Sequence, residues 1–334
     1  MTQNEDQPDR PPRGDGGGKS DRRGPGLGTL IRVGFVVVTV AFAAWAIARS
    51  WDELTEAWRR VEYGPILVAF ALVAVGTLAA YPAWREILAG LGSRLPTVMG
   101  ARVFLVGQLG KYVPGGVWSI IAQVSLAREL HVPRSRSATA GVLSILIGLI
   151  TSGFIGAASL AISGRQVLGK YAWVLVLATP ILALLHPAVL GWCARLASKL
   201  TKRTIAIERM PSRQLLVAAG IQFLGNLVLG VQFYFVVGTV SGTWLPMLLA
   251  IGLFNLASAV GVLVPIAPAG VGVREVILIA GLAPFDGPSM DSGAALLIVL
   301  VSRVLSILVD FGWAAAAGIG LALGSRSGQR RTKA

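Results

Sequence analysis

The sequence predicts an all-α, polytopic membrane protein with about six full transmembrane helices and two re-entrant helical hairpins, arranged as an inverted repeat. Three observations predict it. Of 334 residues, 54% are hydrophobic and 14% charged, against about 25% charged in a typical soluble domain. The apolar residues come in blocks: residues 214–273 hold no charged side chain, enough chain for about three crossings of roughly 20 residues each. The Lys and Arg residues behind the net charge of +14 gather in short segments between those blocks. That placement marks loops retained on the cytoplasmic side, beside anionic headgroups, and argues against a nucleic-acid surface.

The elements follow in order. Residues 1–26 are rich in Pro, Gly, Asp and Arg with almost nothing to bury, and read as a disordered cytoplasmic tail. A single transmembrane domain is expected over 27–323. Its first block, Leu30 to Ala48, ends in a small-residue sequence that resembles a cleavage site, but the long, mixed-charge stretch before it favours an uncleaved signal-anchor helix. Trp51, Leu54, Trp58 and Val61 recur at helical spacing among charges, as in an interfacial amphipathic helix. Further crossings are expected near 64–81, 138–162, 172–192, 215–240 and 294–323. A basic tail, 324–334, closes the chain.

Two apolar stretches are interrupted. The first, 103–127, breaks at Lys111-Tyr112-Val113-Pro114-Gly115-Gly116, leaving arms of about 16 Å, half a bilayer. The second, 246–283, breaks at Pro265-Ile266-Ala267-Pro268-Ala269-Gly270. Loops 85–102 and 128–136 are both basic, so the first stretch returns to the side it left. Loops 241–245 and 284–291 lack Lys and Arg, so the second does the same from the opposite side. Re-entrant hairpins satisfy that parity. So would pairs of kinked full crossings, giving eight transmembrane segments. With hairpins, the order crossing, dip, crossing recurs in opposite sense, as in secondary transporters that bind substrate near the midplane. Both termini then lie in the cytoplasm.

A charged side chain at membrane depth costs about 2.5–3.5 kcal/mol on insertion scales, so each one asks for a reason. Lys111 and Arg274 flank the two tips, and the helices resuming near Val117 and Val271 point their N-termini at them. Free N–H groups and two cations form a candidate cradle for a phosphate; the alternative is that the cations snorkel to the interface or pair with Glu275 and Asp310. Arg303 and Asp310 share one face of the last helix, two turns apart, too far for a direct bond. Gln108, Gln123, Gln222, Asn226, Gln232 and Asn255 read first as helix–helix glue. The sequence has no Walker loop, GxSxG, HExxH or zinc spacing, so neither enzymatic chemistry nor a cofactor is expected.

Gly107-Gln-Leu-Gly-Lys111-Tyr-Val-Pro-Gly-Gly-Val-Trp118 and Pro265-Ile-Ala-Pro-Ala-Gly-Val-Gly-Val-Arg-Glu275 resemble the lysylphosphatidylglycerol synthase transmembrane-region family, over roughly residues 30–323. The resemblance implies a flippase-like protein that moves a phospholipid or polyprenyl-linked lipid between leaflets. By position, Lys111, Pro114, Gly115 and Gly116 match the first family motif. Pro268, Gly270, Gly272 and Glu275 match the second, with Ala269 where the family often has Gly. No aminoacyl-transfer domain follows, so lysyl transfer is not expected of this chain alone. The expected substrate contacts are Lys111, Tyr112, Pro114, Gly115, Gly116, Pro268, Gly270, Arg274, Glu275, Arg303 and Asp310, with a membrane lipid of anionic headgroup as partner. A competing reading is a non-transporting subunit that anchors a glycosyltransferase or cell-envelope enzyme.

Overall fold

Helices begin where proline fixes the backbone. Pro96, Pro133, Pro211 and Pro246 each precede a helix with φ between −54° and −62°. A proline has no N–H to leave unpaired, and its carbonyl accepts from the first turn, as in Gly100 N–H to Pro96 O at 2.8 Å. The computed structural model describes residues 62–113, 116–163, 211–264, 270, 272–285 and 292–331. Its helices are α1 (Tyr63–Gly90), α2 (Thr97–Gln108), α3 (Trp118–Glu129), α4 (Arg134–Ile162), α5 (Ser212–Ser241), α6 (Met247–Leu263), α7 (Val273–Leu282) and α8 (Ser292–Arg331), with 3₁₀ turns at Leu109–Tyr112 and Ala283–Phe285. The described residues contain no strand.

Four of these helices, α1, α4, α5 and the Gly293–Gly318 part of α8, are long and apolar enough to cross a membrane. The crossings expected near 30–48 and 172–192, and the amphipathic helix at 51–62, lie outside the described residues apart from Glu62. The two broken stretches are helical hairpins: α2 packs on α3, and α6 on α7. Their arms run 12, 12, 17 and 10 residues; three fall well short of the roughly 17–25 a crossing takes, and α6 sits at the lower limit. Glycine lets the arms touch. A Cβ on Gly110 would lie 2.6 Å from the Ser119 nitrogen, and one on Gly270 would lie 3.2 Å from the Gly261 Cα.

The two halves repeat. Exchanging α1 with α5, α2 with α6, α3 with α7 and α4 with α8 maps the set of packed helix pairs onto itself: α4 on α6 becomes α8 on α2, and α3 on α4 becomes α7 on α8. The equivalent helices α1 and α5 run antiparallel. Ala69 and Val73 share a core cluster with Phe233, Val236 and Val240, whereas Trp84, Ile87 and Leu88 share the other with Ala218. The repeat is therefore inverted. The helices cross at Gly76 and Gly225, each thirteen residues into its own helix; a Cβ on Gly76 would come within 3.0 Å of Gly225 O. Even the turn before each hairpin recurs, as Gly92-Ser-Arg-Leu-Pro96 and Gly242-Thr-Trp-Leu-Pro246, with φ of +83° and +67° at the glycines. At Gly92 the turn is a Schellman cap, in which Ser93 N–H bonds Leu88 O and Gly92 N–H bonds Ala89 O.

Boundaries differ from expectation in two places. The crossing expected to end near Tyr81 continues to Gly90 through Pro82, because Trp84, Ile87 and Leu88 are fully buried against the first hairpin. The last helix runs on to Arg331, past the expected start of the tail. The outer faces are apolar: Leu67, Leu216, Leu224, Leu308 and Phe311 are exposed, as side chains facing lipid tails would be.

Candidate functional site

The ends of both hairpins meet α8 near the middle of its apolar span. The 3₁₀ turn Leu109–Tyr112 closes the first arm of hairpin one and carries Lys111 and Tyr112 against α8. Lys111 Nζ lies 2.6 Å from Asp310 Oδ2, and the Tyr112 hydroxyl donates to the same oxygen at 2.6 Å. The Asp310 side chain is 5% exposed and that of Lys111 34%. The Tyr112 ring lies 5.7 Å from that of Phe311. On the other side, hairpin two brings Arg274 and Glu275 to α8. Arg274 Nη2 donates to Ser302 Oγ at 3.2 Å, and its guanidinium sits 4.5 Å from the Phe254 ring centre. Arg303 pairs with Glu275 at 3.6 Å.

The two α8 charges were expected on one face without a mutual bond, and each indeed has a partner on a hairpin. Positions 303 and 310 straddle the middle of the Gly293–Gly318 span, so hairpin one reads one side of the midplane and hairpin two the other. Three cations and two carboxylates then leave one net positive charge in a low-dielectric setting, where each unpaired ion is expensive.

The expected phosphate cradle takes a different form. Lys111 is paired with Asp310, which was the alternative to phosphate binding. At hairpin two one N–H at the start of α7 is already taken, because Gly272 N–H donates to Glu275 Oε2 at 2.6 Å. Glycine has no side chain to reciprocate, so this is half of a capping box. Glu275 links its own helix start to Arg303, and among the described residues it makes no ion pair with a cation of hairpin one. Lys111 and Arg274 both reach α8, the first at Asp310 and the second at Ser302. Gly116 and Gly270 sit at equivalent places in the tips, with φ of +65° and +70°, a region glycine enters without strain. Pro114, Gly115 and Pro268 lie outside the described residues.

Beside Lys111, between the central helices, lies a cavity of about 170 Å³ lined by Thr77, Gln108, Lys111, Gln222 and Asn226 together with the Gly76/Gly225 crossing. Gly76 is near the middle of α1, so the cavity reaches membrane mid-depth. Two amides act as glue, Asn226 among them. Asn226 Nδ2 donates to Gly148 O and Thr151 Oγ1 of α4, Asn255 Nδ2 donates to Asn226 O, and Ser152 donates to Asn255 O.

Ser302 was not foreseen from the sequence. It is fully buried and its oxygen accepts from both Arg274 and Gln232. A serine in an apolar helix gives no signal of its own; only its place beside Arg303 hinted at it. Thr77 was missed for the same reason.

A search of curated proteins finds no significant match. The sequence profile described as the lysylphosphatidylglycerol synthase TM region matches residues 30–314, a range that includes both tips and every charged residue of this site. The chain belongs to that family, a membrane domain of flippase-like proteins, and it is an integral membrane protein.

Proposed function

We propose that this protein is a lipid translocase, moving a phospholipid or polyprenyl-linked lipid between the leaflets of the bacterial cytoplasmic membrane without a chemical step of its own. The observation that carries this reading is the cavity beside Lys111. It is polar, lies at mid-depth between two inverted halves, and opens next to ions that a purely structural protein would have little reason to keep in hydrocarbon. An anionic headgroup enters there while its acyl tails stay in the bilayer. Lys111 turns from Asp310 toward the lipid phosphate, and Tyr112 holds Asp310 meanwhile. Arg274, Glu275 and Arg303 fix the second hairpin against α8. The orientation belongs to the same proposal: basic loops 85–102 and 128–136 in the cytoplasm, with both termini on that side.

The test is movement of a fluorescent anionic lipid across proteoliposomes, scored by chemical quenching of the outer leaflet. The double variant Lys111→Met/Asp310→Asn removes both charges, so no buried ion is orphaned. It should insert and stay folded while translocation falls at least tenfold. Wild-type movement no faster than in protein-free vesicles would refute the proposal and favour an anchoring subunit. Unchanged movement in the double variant would remove Lys111 from the mechanism.

A further inference from the structure

Five polar side chains surround the cavity, and only one is charged. Lys111 provides an ammonium; Gln108, Gln222 and Asn226 provide carboxamides; Thr77 provides a hydroxyl. No Asp or Glu lines it among the described residues. The nearest carboxylate placed by contacts is Asp310, which is already held by Lys111 and Tyr112. The carboxamide oxygen of Gln222 is enclosed by the protein and has no hydrogen-bond partner there. These groups come from both halves of the repeat: Thr77, Gln108 and Lys111 from the first, Gln222 and Asn226 from the second.

Such a lining has a definite chemical preference. The Gln108 carboxamide and the Thr77 hydroxyl both donate and accept, and Asn226, whose Nδ2 is spent on Gly148 O and Thr151 Oγ1, can accept through its carbonyl oxygen, a set that matches the hydroxyl groups of a polyol. One ammonium among them suits a single phosphate. A cationic headgroup would face Lys111, and the nearest carboxylate, Asp310, is still held by Tyr112 when Lys111 turns to a phosphate. The volume of about 170 Å³ gives room for a glycerol or a sugar ring.

From this we infer that the cavity binds an uncharged polyol esterified to a lipid phosphate, with the phosphate at Lys111 and the hydroxyls on Gln108, Thr77, Gln222 and Asn226. The inference rests on the translocase reading and gives its substrate a chemical class. Two lipids share that chemistry: phosphatidylglycerol, and a polyprenyl phosphate carrying one hexose. Aminoacylated, cationic headgroups are excluded from the preferred class.

The test measures affinity of the full-length protein in neutral detergent micelles doped with one lipid at a time, by the rise in unfolding temperature with lipid mole fraction. The probes are phosphatidylglycerol, a short-chain polyprenyl-phosphate hexose, phosphatidic acid (phosphate without polyol) and lysylated phosphatidylglycerol. At least one polyol lipid should bind about tenfold more tightly than phosphatidic acid and than the lysylated lipid. Whichever polyol lipid binds tighter identifies the source. Gln108→Leu should reduce polyol binding about fivefold, toward the level of phosphatidic acid. Thr77→Val, nearly isosteric, should act in the same direction if Gln108→Leu fails to fold. Equal binding of phosphatidic acid and the polyol lipids, or tighter binding of the lysylated lipid, would overturn the inference while leaving lipid transport standing. Binding of no lipid would overturn both.

Discussion

Asp310 holds two partners from one hairpin through a single oxygen, and that arrangement dictates what each substitution does. Lys111→Met leaves a nearly buried carboxylate with only the Tyr112 hydroxyl. Breaking a buried pair typically costs about 3–5 kcal/mol. Lys111 is partly exposed and Tyr112 remains, so a loss of about 2 kcal/mol is expected here, read as a lowered unfolding temperature in detergent. Adding Asp310→Asn should restore most of that loss, because a neutral amide can still accept from Tyr112. A double variant as unstable as the single one would mean that Lys111 contributes packing and not charge compensation. At this scale the sequence named the participants but not their pairing. Lys111, Arg274, Glu275, Arg303 and Asp310 stood out because ions in apolar segments are costly. Which cation meets which anion depends on how two distant hairpins dock on α8, and no local spacing encodes that. Hence a phosphate cradle of two free helix ends was expected, whereas Glu275 caps one of them.

The helix and hairpin elements owe their positions to a few glycines at close approaches. A Cβ on Gly225 would lie 2.8 Å from the Ala79 Cβ and 3.1 Å from Gly76 O, neither of which can swing aside. Gly225→Ala should therefore cost about 1–3 kcal/mol by overpacking the central crossing. Gly220, on the same helix, has open space around it: a Cβ there would meet no atom within 4 Å. Gly220→Ala should be neutral or stabilise by up to about 1 kcal/mol, because alanine is the better helix former. The pair is read by thermal unfolding, and equal effects would mean that α1 and α5 do not cross there. Helix existence was legible in the sequence wherever the apolar run was long. Boundaries were less so: α1 passes Pro82 because tertiary burial of Trp84, Ile87 and Leu88 outweighs one broken backbone bond. The recurring Gly-x-x-Leu-Pro turn is readable in the residues alone, and its two copies mark the same place in each half of the repeat.

For the whole molecule, the inverted repeat is what turns these contacts into a path. Two antiparallel central helices and two hairpins from opposite sides bring polar groups to mid-depth without exposing them to lipid tails. Parity of the charged loops was enough to expect that architecture, though it could not separate hairpins from paired crossings; the 12-residue arms of the first stretch and the 10-residue α7 of the second point to hairpins. The cavity itself was not legible, because Thr77 and Gln222 come together only once α1 packs on α5 beside the Gly76/Gly225 crossing. Its contact with water is the claim on which transport depends, and cysteine labelling addresses it directly. In a Cys193→Ser background, Thr77→Cys and Gln108→Cys should react with a membrane-impermeant thiol reagent. Leu224→Cys, next to Gly225 but 63% exposed on the outer face, should not react, because its surroundings are hydrocarbon. Labelling of the two cavity positions but not of position 224 is the predicted result. Inert thiols at both 77 and 108 in folded protein would contradict a water-filled route through the middle of this membrane domain.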